Sequence, residues 1–334
     1  ILLQVPEAVW PMMREYLAVI FCGIAATFLY NYFASVLRAV GNSVVPLAFL
    51  AASAALNIVL DLWFVLGLER GVAGAAEATV LAQYASGLGI SAYTLIRCPE
   101  LRPGRGRFRL RLRRVREIAG FSALTCVQQS VMNLGILMVQ GLVNSFGPTV
   151  MAAFAAAVKI DSFAYMPVQD FGNAFSTFIA QNYGARQEER IRRGLRGAVA
   201  VSLVFCALSS ALVCLFAAPL MGLFTEPGDL ETVAEGVRYL RIEGAFYAGI
   251  GCLFLLYGLY RALGRPGMSV VLTVISLGTR VALAHLLSAL PAVGVTGIWW
   301  SVPIGWALAD LAGLGYYLLR QKRLFVWPEP SPEP

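Results

Sequence analysis

Charge is scarce in this chain. Asp, Glu, Lys and Arg supply 13% of its 334 residues against 58% hydrophobic ones, and the mean hydropathy is strongly positive. An ordinary soluble domain carries about 25% charged residues, so that class is excluded. Histidine occurs once, at His285, and there is no HExxH, no Gly-x-Ser-x-Gly and no pair of intramembrane aspartates. Acid–base enzymology has almost nothing to work with, and the chain is read as a non-enzyme with no cofactor and no metal. The six cysteines, at 22, 98, 126, 206, 214 and 252, contain no CxxC and lie mostly in apolar stretches. They read as small buried hydrophobes rather than a redox or zinc motif. An initiating Met and a signal peptide are also absent: the chain opens in "ILLQVPEAVW", expected to be the tail of an earlier segment.

What the chain has instead is apolar runs, nine of them, at 14–37, 45–67, 73–96, 118–145, 150–182, 197–224, 239–262, 268–290 and 296–319. A helix needs about 20 apolar residues to cross the hydrocarbon core, and each run supplies them. Breakers separate the runs: "GNS" at 41, "GLERG" at 67, "FGPT" at 146, "TEPGD" at 225, "GRPG" at 264 and "PAVGV" at 291. No strand alternation competes, so the fold class is an all-α polytopic membrane protein. The last stretch, "WPEPSPEP", reads as a disordered tail over 324–334.

The net charge of +7 raises the question of nucleic acid, and its distribution answers it. "LRPGRGRFRLRLRRVRE" (101–117) joins the third and fourth runs, and "ARQEERIRRGLR" (185–196) joins the fifth and sixth. Together with Arg38, Arg97, Arg261, Arg265, Arg320, Lys322 and Arg323, about 20 of the 26 Lys and Arg fall on one face of an alternating topology, the cytoplasmic one by the positive-inside rule. The opposite face carries the acidic "TEPGDLETVAEG". The basic clusters therefore set orientation and meet anionic lipid headgroups, and no nucleic-acid partner is expected.

The chain also repeats itself. Residues 16–97 align with 239–320 without a gap, an offset of 223. Tyr16-Leu17 meets Tyr239-Leu240; Arg38-Ala39-x-Gly41 meets Arg261-Ala262-x-Gly264; Gly71-Val72-x-Gly74 meets Gly294-Val295-x-Gly297; Tyr93 and Arg97 meet Tyr316 and Arg320. Parallel repeats of this kind build transporters from two halves. The expected organisation is therefore three spans of a first bundle (1–97), a basic cytoplasmic linker (98–117) and a complete second bundle (118–323). Twelve spans are expected in the full protein, with the first three missing here.

The stretches "LRAVGNSVVPLAFLAASAALNIVLD" (37–61), "RGVAGAAEATV" (70–80), "AAFAAAVKIDSFAYMPVQDFGNAFSTFIAQNYGA" (152–185) and "YRALGRPGMS" (260–269) carry a family likeness. The chain resembles the MATE (multidrug and toxin extrusion) antiporters, most of all the bacterial DinF-type and multidrug-resistance branch. The resemblance implies a V-shaped pair of bundles in the bacterial cytoplasmic membrane, monomeric when full length. It implies exchange of organic, cationic or amphiphilic solutes for protons or sodium ions. A lipid-linked precursor flippase of the same superfamily is the alternative, although such proteins have cavities richer in Arg and Lys.

Ionisable groups inside spans are the natural coupling candidates, since each costs roughly 2.5–3.5 kcal/mol at a helix centre. Asp161 and Lys159 sit in "VKIDSFAYM" (158–166), two residues and about 160° apart on a helix. Asp161 shares a face with Tyr165. Either both charges face a cavity, Asp161 carrying the ion, or Lys159 snorkels outward while Asp161 bonds backbone amides or an Arg. Glu243 has Tyr239 and Tyr247 four residues either side and reads as a second cation or proton site, or as a partner of Arg241 or Arg238. Asp61, one turn after Asn57, is the third candidate; in the family these two look structural, and Arg280 stands in the place of Asn57 in the second copy. Gln128, Gln129, Asn133 and Gln140 line a solute pocket or form a core network. Pro167 is expected to kink its helix near Gln169. Two departures bear on coupling: the acids that sodium-linked NorM-type members carry near Gln129 and Ile250 are absent, and the DinF-type first-span aspartate falls outside this sequence.

Overall fold

A computed structural model describes residues 10–102, 112–226 and 228–325. The described residues are helical throughout, with short π and 3-10 turns and no strand. The chain divides into two compact units, residues 1–110 and 111–334.

In the first unit, α1 (Trp10–Cys22) and α2 (Ile24–Ala39) form one span bent by 40° at Gly23. α3 (Val44–Asp61) continues into a π-helical turn, Leu62–Gly67, and α4 (Gly71–Arg97) packs against all three helices. That placement explains the composition of α4. Its neighbours bury Gly74, Ala76, Ala78, Ala82, Ser86 and Gly87, so small side chains suffice. At Gly87 a Cβ would come 2.6 Å from the carbonyl oxygen of Ala26, which fixes how closely α2 and α4 cross. This is the one expected span that falls short of spanning apolarity. Six described helices are long and apolar enough to cross a membrane, or eight with the two bent pairs counted as spans.

The second unit holds α5 (Leu112–Asn144), α6 (Pro148–Gly184), α7 (Glu188–Leu215), the short α8 (Ala217–Gly222), α9 (Leu230–Gly244), α10 (Tyr247–Ala262), α11 (Pro266–Ser288) and α12 (Val295–Leu324). α5 begins inside the stretch read as linker, so the helix starts at 112 rather than 118. Arg and Leu are good helix formers, and the arginines of this first turn need no burial. The basic segment 103–111 and the tail 326–334 lie outside the described residues.

α10 is the hub, packing on α6, α7, α11 and α12. Glycine makes the closest of these crossings. A Cβ on Gly258 would sit 2.6 Å from the carbonyl oxygen of Gly172, and one on Gly251 2.8 Å from both Ser202 Oγ and Cys206 Sγ. Without bulk at those positions the backbones approach, and dispersion over the contact replaces the hydrophobic drive that lipid cannot supply.

The repeat is visible as geometry. Under the offset of 223, the break at Gly23 falls on Phe246, where α9 and α10 meet at a 51° bend. The left-handed glycines coincide as well: Gly41 (φ 88°) with Gly264 (φ 73°), and Gly71 (φ 55°) with Gly294 (φ 53°). Each turn between spans requires a backbone that side-chain-bearing residues resist.

Candidate functional site

α6 presents a buried stripe at helical spacing: Phe154, Ala157, Asp161, Ala164, Val168, Gly172 and Phe175. Asp161 lies in that stripe, whereas Lys159, Phe163 and Met166 lie off it and are exposed. The rotation between positions 159 and 161 therefore separates the two charges, one inward and one outward. Pro167 withdraws an amide from the ladder one turn beyond Phe163, yet α6 continues through it.

Glu243 enters from the other side, on the last turn of α9. Gly244, Ala245 and Phe246 then break the span, and α10 restarts at Tyr247. The neighbouring arginines leave Glu243 alone: Arg238 pairs with Glu235 at 3.1 Å, and Arg241 is exposed. Glu235 also accepts a 2.8 Å hydrogen bond from the Trp299 indole. Phe154, Tyr239 and Trp299 form an aromatic cluster with ring centroids 4.9–5.5 Å apart.

Asp161, Glu243 and Arg280 of α11 converge on one cavity of about 210 Å³. Its polar wall is completed by Gln140, Ser162, Tyr165, Tyr239, Tyr257 and Ser276. No ion pair within 4.0 Å joins the three charged groups among the described residues. Asp161 Oδ1, Glu243 Oε2 and Arg280 Nε are shut off from solvent with no hydrogen-bond partner among the described residues. Buried polar atoms are ordinarily satisfied, which sets these three apart from the apolar packing around them.

Of the residues expected at such a site, the structure brings together Asp161, Glu243, Tyr165 and Gln140. Gln169 lies half-buried further along α6, outside the lining. Gln128, Gln129 and Asn133 do not line the cavity; Gln129 donates along its own helix to Asn133 Oδ1 at 3.3 Å. Asp61 belongs to the first unit, where its Oδ1 is buried without a partner among the described residues and the Asn57 amide reaches the Thr79 hydroxyl at 3.5 Å. Arg280 completes the site, and its signal was an arginine inside a span.

The family model described as MatE matches residues 1–63 and 124–286. The "Probable multidrug resistance protein YpnP" of Bacillus subtilis (strain 168) is 31% identical over 326 residues, covering 95% of this chain and 70% of that protein. A protein named "FAD transporter" from Shewanella oneidensis is 27% identical over 334 residues, covering 96% of this chain and 71% of its own length. Among solved structures, the Vibrio cholerae MATE transporter VcmN in the bent form superposes with a TM-score of 0.85 at 22% identity, over 98% of this chain and 74% of that one.

Proposed function

Because the chain belongs to the MatE family of membrane transporters, a multi-pass membrane protein and no enzyme, we propose that it exports organic, cationic or amphiphilic solutes by antiport against protons or sodium ions. The observation that carries the reading is the set of unpartnered acidic and basic atoms around the cavity of the second unit. Coupling requires a group whose occupancy differs between two access states. Asp161 and Glu243 supply two carboxylates, and Arg280 keeps their pair from requiring two cations at once. The break beside Glu243 adds what coupled transporters use near their ion sites: a half-helix starting at Tyr247, with its positive dipole end next to an interrupted ladder.

In this reading the basic ends and the C-terminus are cytoplasmic, the membrane is the bacterial cytoplasmic one, and the protein works as a monomer among lipids. An ion binds the acidic pair from outside, and its inward release accompanies solute expulsion. The membrane potential contributes about 2.3 kcal/mol per charge per 100 mV to that cycle. The charge balance of the cavity, two carboxylates to one guanidinium, supports cationic solutes over the pyrophosphate-linked lipids of a flippase.

The test is dye efflux in inverted vesicles under a pH gradient or a sodium gradient. One of the two is expected to drive transport, and D161N or E243Q to lower the coupled rate at least tenfold. Efflux indifferent to both gradients overturns antiport.

A further inference from the structure

Behind the acidic cavity lies a second hollow, of about 320 Å³, between α7, α10 and α12. α10 serves both. Ile250, Leu253, Phe254 and Tyr257 line the first cavity; Cys252, Leu255, Leu256 and Leu259 line the second. The two sets differ by two positions, about 200° around a helix, so the hollows sit back to back. The second wall is otherwise made of leucines, Val199 and Tyr317, with one exception: Asp310 of α12.

Asp310 is an isolated acid. Its Oδ1 is shut off from solvent and has no hydrogen-bond partner among the described residues, and none of their ion pairs includes it. It sits well inside a helix that is apolar enough to span. A carboxylate there costs roughly 2.5–3.5 kcal/mol, and a leucine wall returns none of it.

The internal repeat identifies what is peculiar to this copy. Asp310 stands where the first copy has Gly87, and Gly249 stands where it has Ala26. In the first copy that crossing is closed by backbone, with the Gly87 position 2.6 Å from the Ala26 carbonyl. In the second, a Cβ on Gly249 would lie 3.8 Å from Asp310 Oδ2. The exchange puts an acid where the first copy has a glycine, across from a glycine of α10.

We propose that this hollow is a binding site for a lipophilic organic ammonium. The protonated amine meets Asp310 Oδ1, and the hydrocarbon body lies among Leu255, Leu256, Leu259, Leu311 and Leu314. A protonated amine both donates a hydrogen bond to a lone carboxylate and neutralises it, and a large apolar body is what a leucine wall accepts. The site is distinct from the Asp161–Glu243–Arg280 cavity, and its occupancy does not depend on antiport.

The test is equilibrium binding to the full chain in lipid nanodiscs, read by fluorescence of 1-naphthylmethylamine, with 1-naphthalenemethanol as the neutral counterpart. Saturable binding of the amine is expected, about tenfold or more tighter than the alcohol, as a charge-assisted contact provides. Measured in a D161N/E243Q background, which removes the acids of the first cavity, D310N is expected to erase that preference. Leu256→Trp, at a half-buried leucine that lines this hollow and not the acidic cavity, is expected to weaken the amine by a similar factor. Equal affinity of amine and alcohol, or an undiminished preference for the amine after D310N in that background, overturns the assignment.

Discussion

Asp161 and Lys159 are separated by one residue and have opposite fates. The carboxylate is in the buried stripe of α6 and the ammonium is exposed. Lys159→Ala is therefore expected to keep gradient-driven efflux within about twofold of wild type, as surface substitutions usually do, whereas Asp161→Asn stops coupling. A comparable loss in the two variants, measured in the same vesicles, would place Lys159 in the transport cycle after all. Arg280→Gln is a second probe of this scale. Removing the only cation among the lining residues leaves two acids facing each other, so one must stay protonated. The expected outcome is a changed pH dependence of efflux with the protein still folded, checked by transport rate against pH and by a melting curve.

The helices make the site by how closely they approach. Gly258 and Gly172 let α10 and α6 touch backbone to backbone, and a methyl group at Gly258 would meet the Gly172 carbonyl at 2.6 Å. Gly258→Ala is expected to cost about 1–3 kcal/mol, the usual range for overpacking, and to lower the melting temperature of the purified protein. Gly267→Ala, where an added Cβ meets nothing within 4 Å, is the matched control and should melt near wild type. Much at this scale was legible in the sequence. Apolar runs bounded by glycine and proline located the spans, although α7 (Glu188) and α9 (Leu230) begin well before the expected 197 and 239, in polar turns that hydropathy leaves out, and glycine pairs at constant offset located the turns. The bends at Gly23 and Phe246 were not legible, because hydropathy averages across a break: both halves stay apolar. Nor was the enclosure of α4 by three helices, which is why its small, only modestly apolar side chains suffice.

For the whole molecule, the sequence identified acids within spans but not which of them meet. Glu243 and Asp161 are 82 positions apart and join Arg280 only because α6, α9 and α11 surround one cavity. A helical period says which residues share a face; it is silent on which faces share a hollow. Gln128, Gln129 and Asn133 illustrate the gap, since their polarity is spent along α5 rather than on the cavity. The proposed orientation has its own check at this scale. Cys98 follows the last residue of α4, on the basic side, and is partly exposed. A single-cysteine variant retaining Cys98 should react with a membrane-impermeant maleimide in inverted vesicles and stay unlabelled in intact cells. Labelling in intact cells would reverse the orientation.

The matched glycine turns also shape how this sequence tolerates change. A missense substitution at Gly41, Gly71, Gly264 or Gly294 forces a side chain into left-handed backbone, at roughly 1–2 kcal/mol each. A saturation-mutagenesis map of the chain should therefore show intolerant glycines in register, 223 positions apart. Gly87 and Asp310 will break that symmetry, because the two copies have diverged in what each position is for.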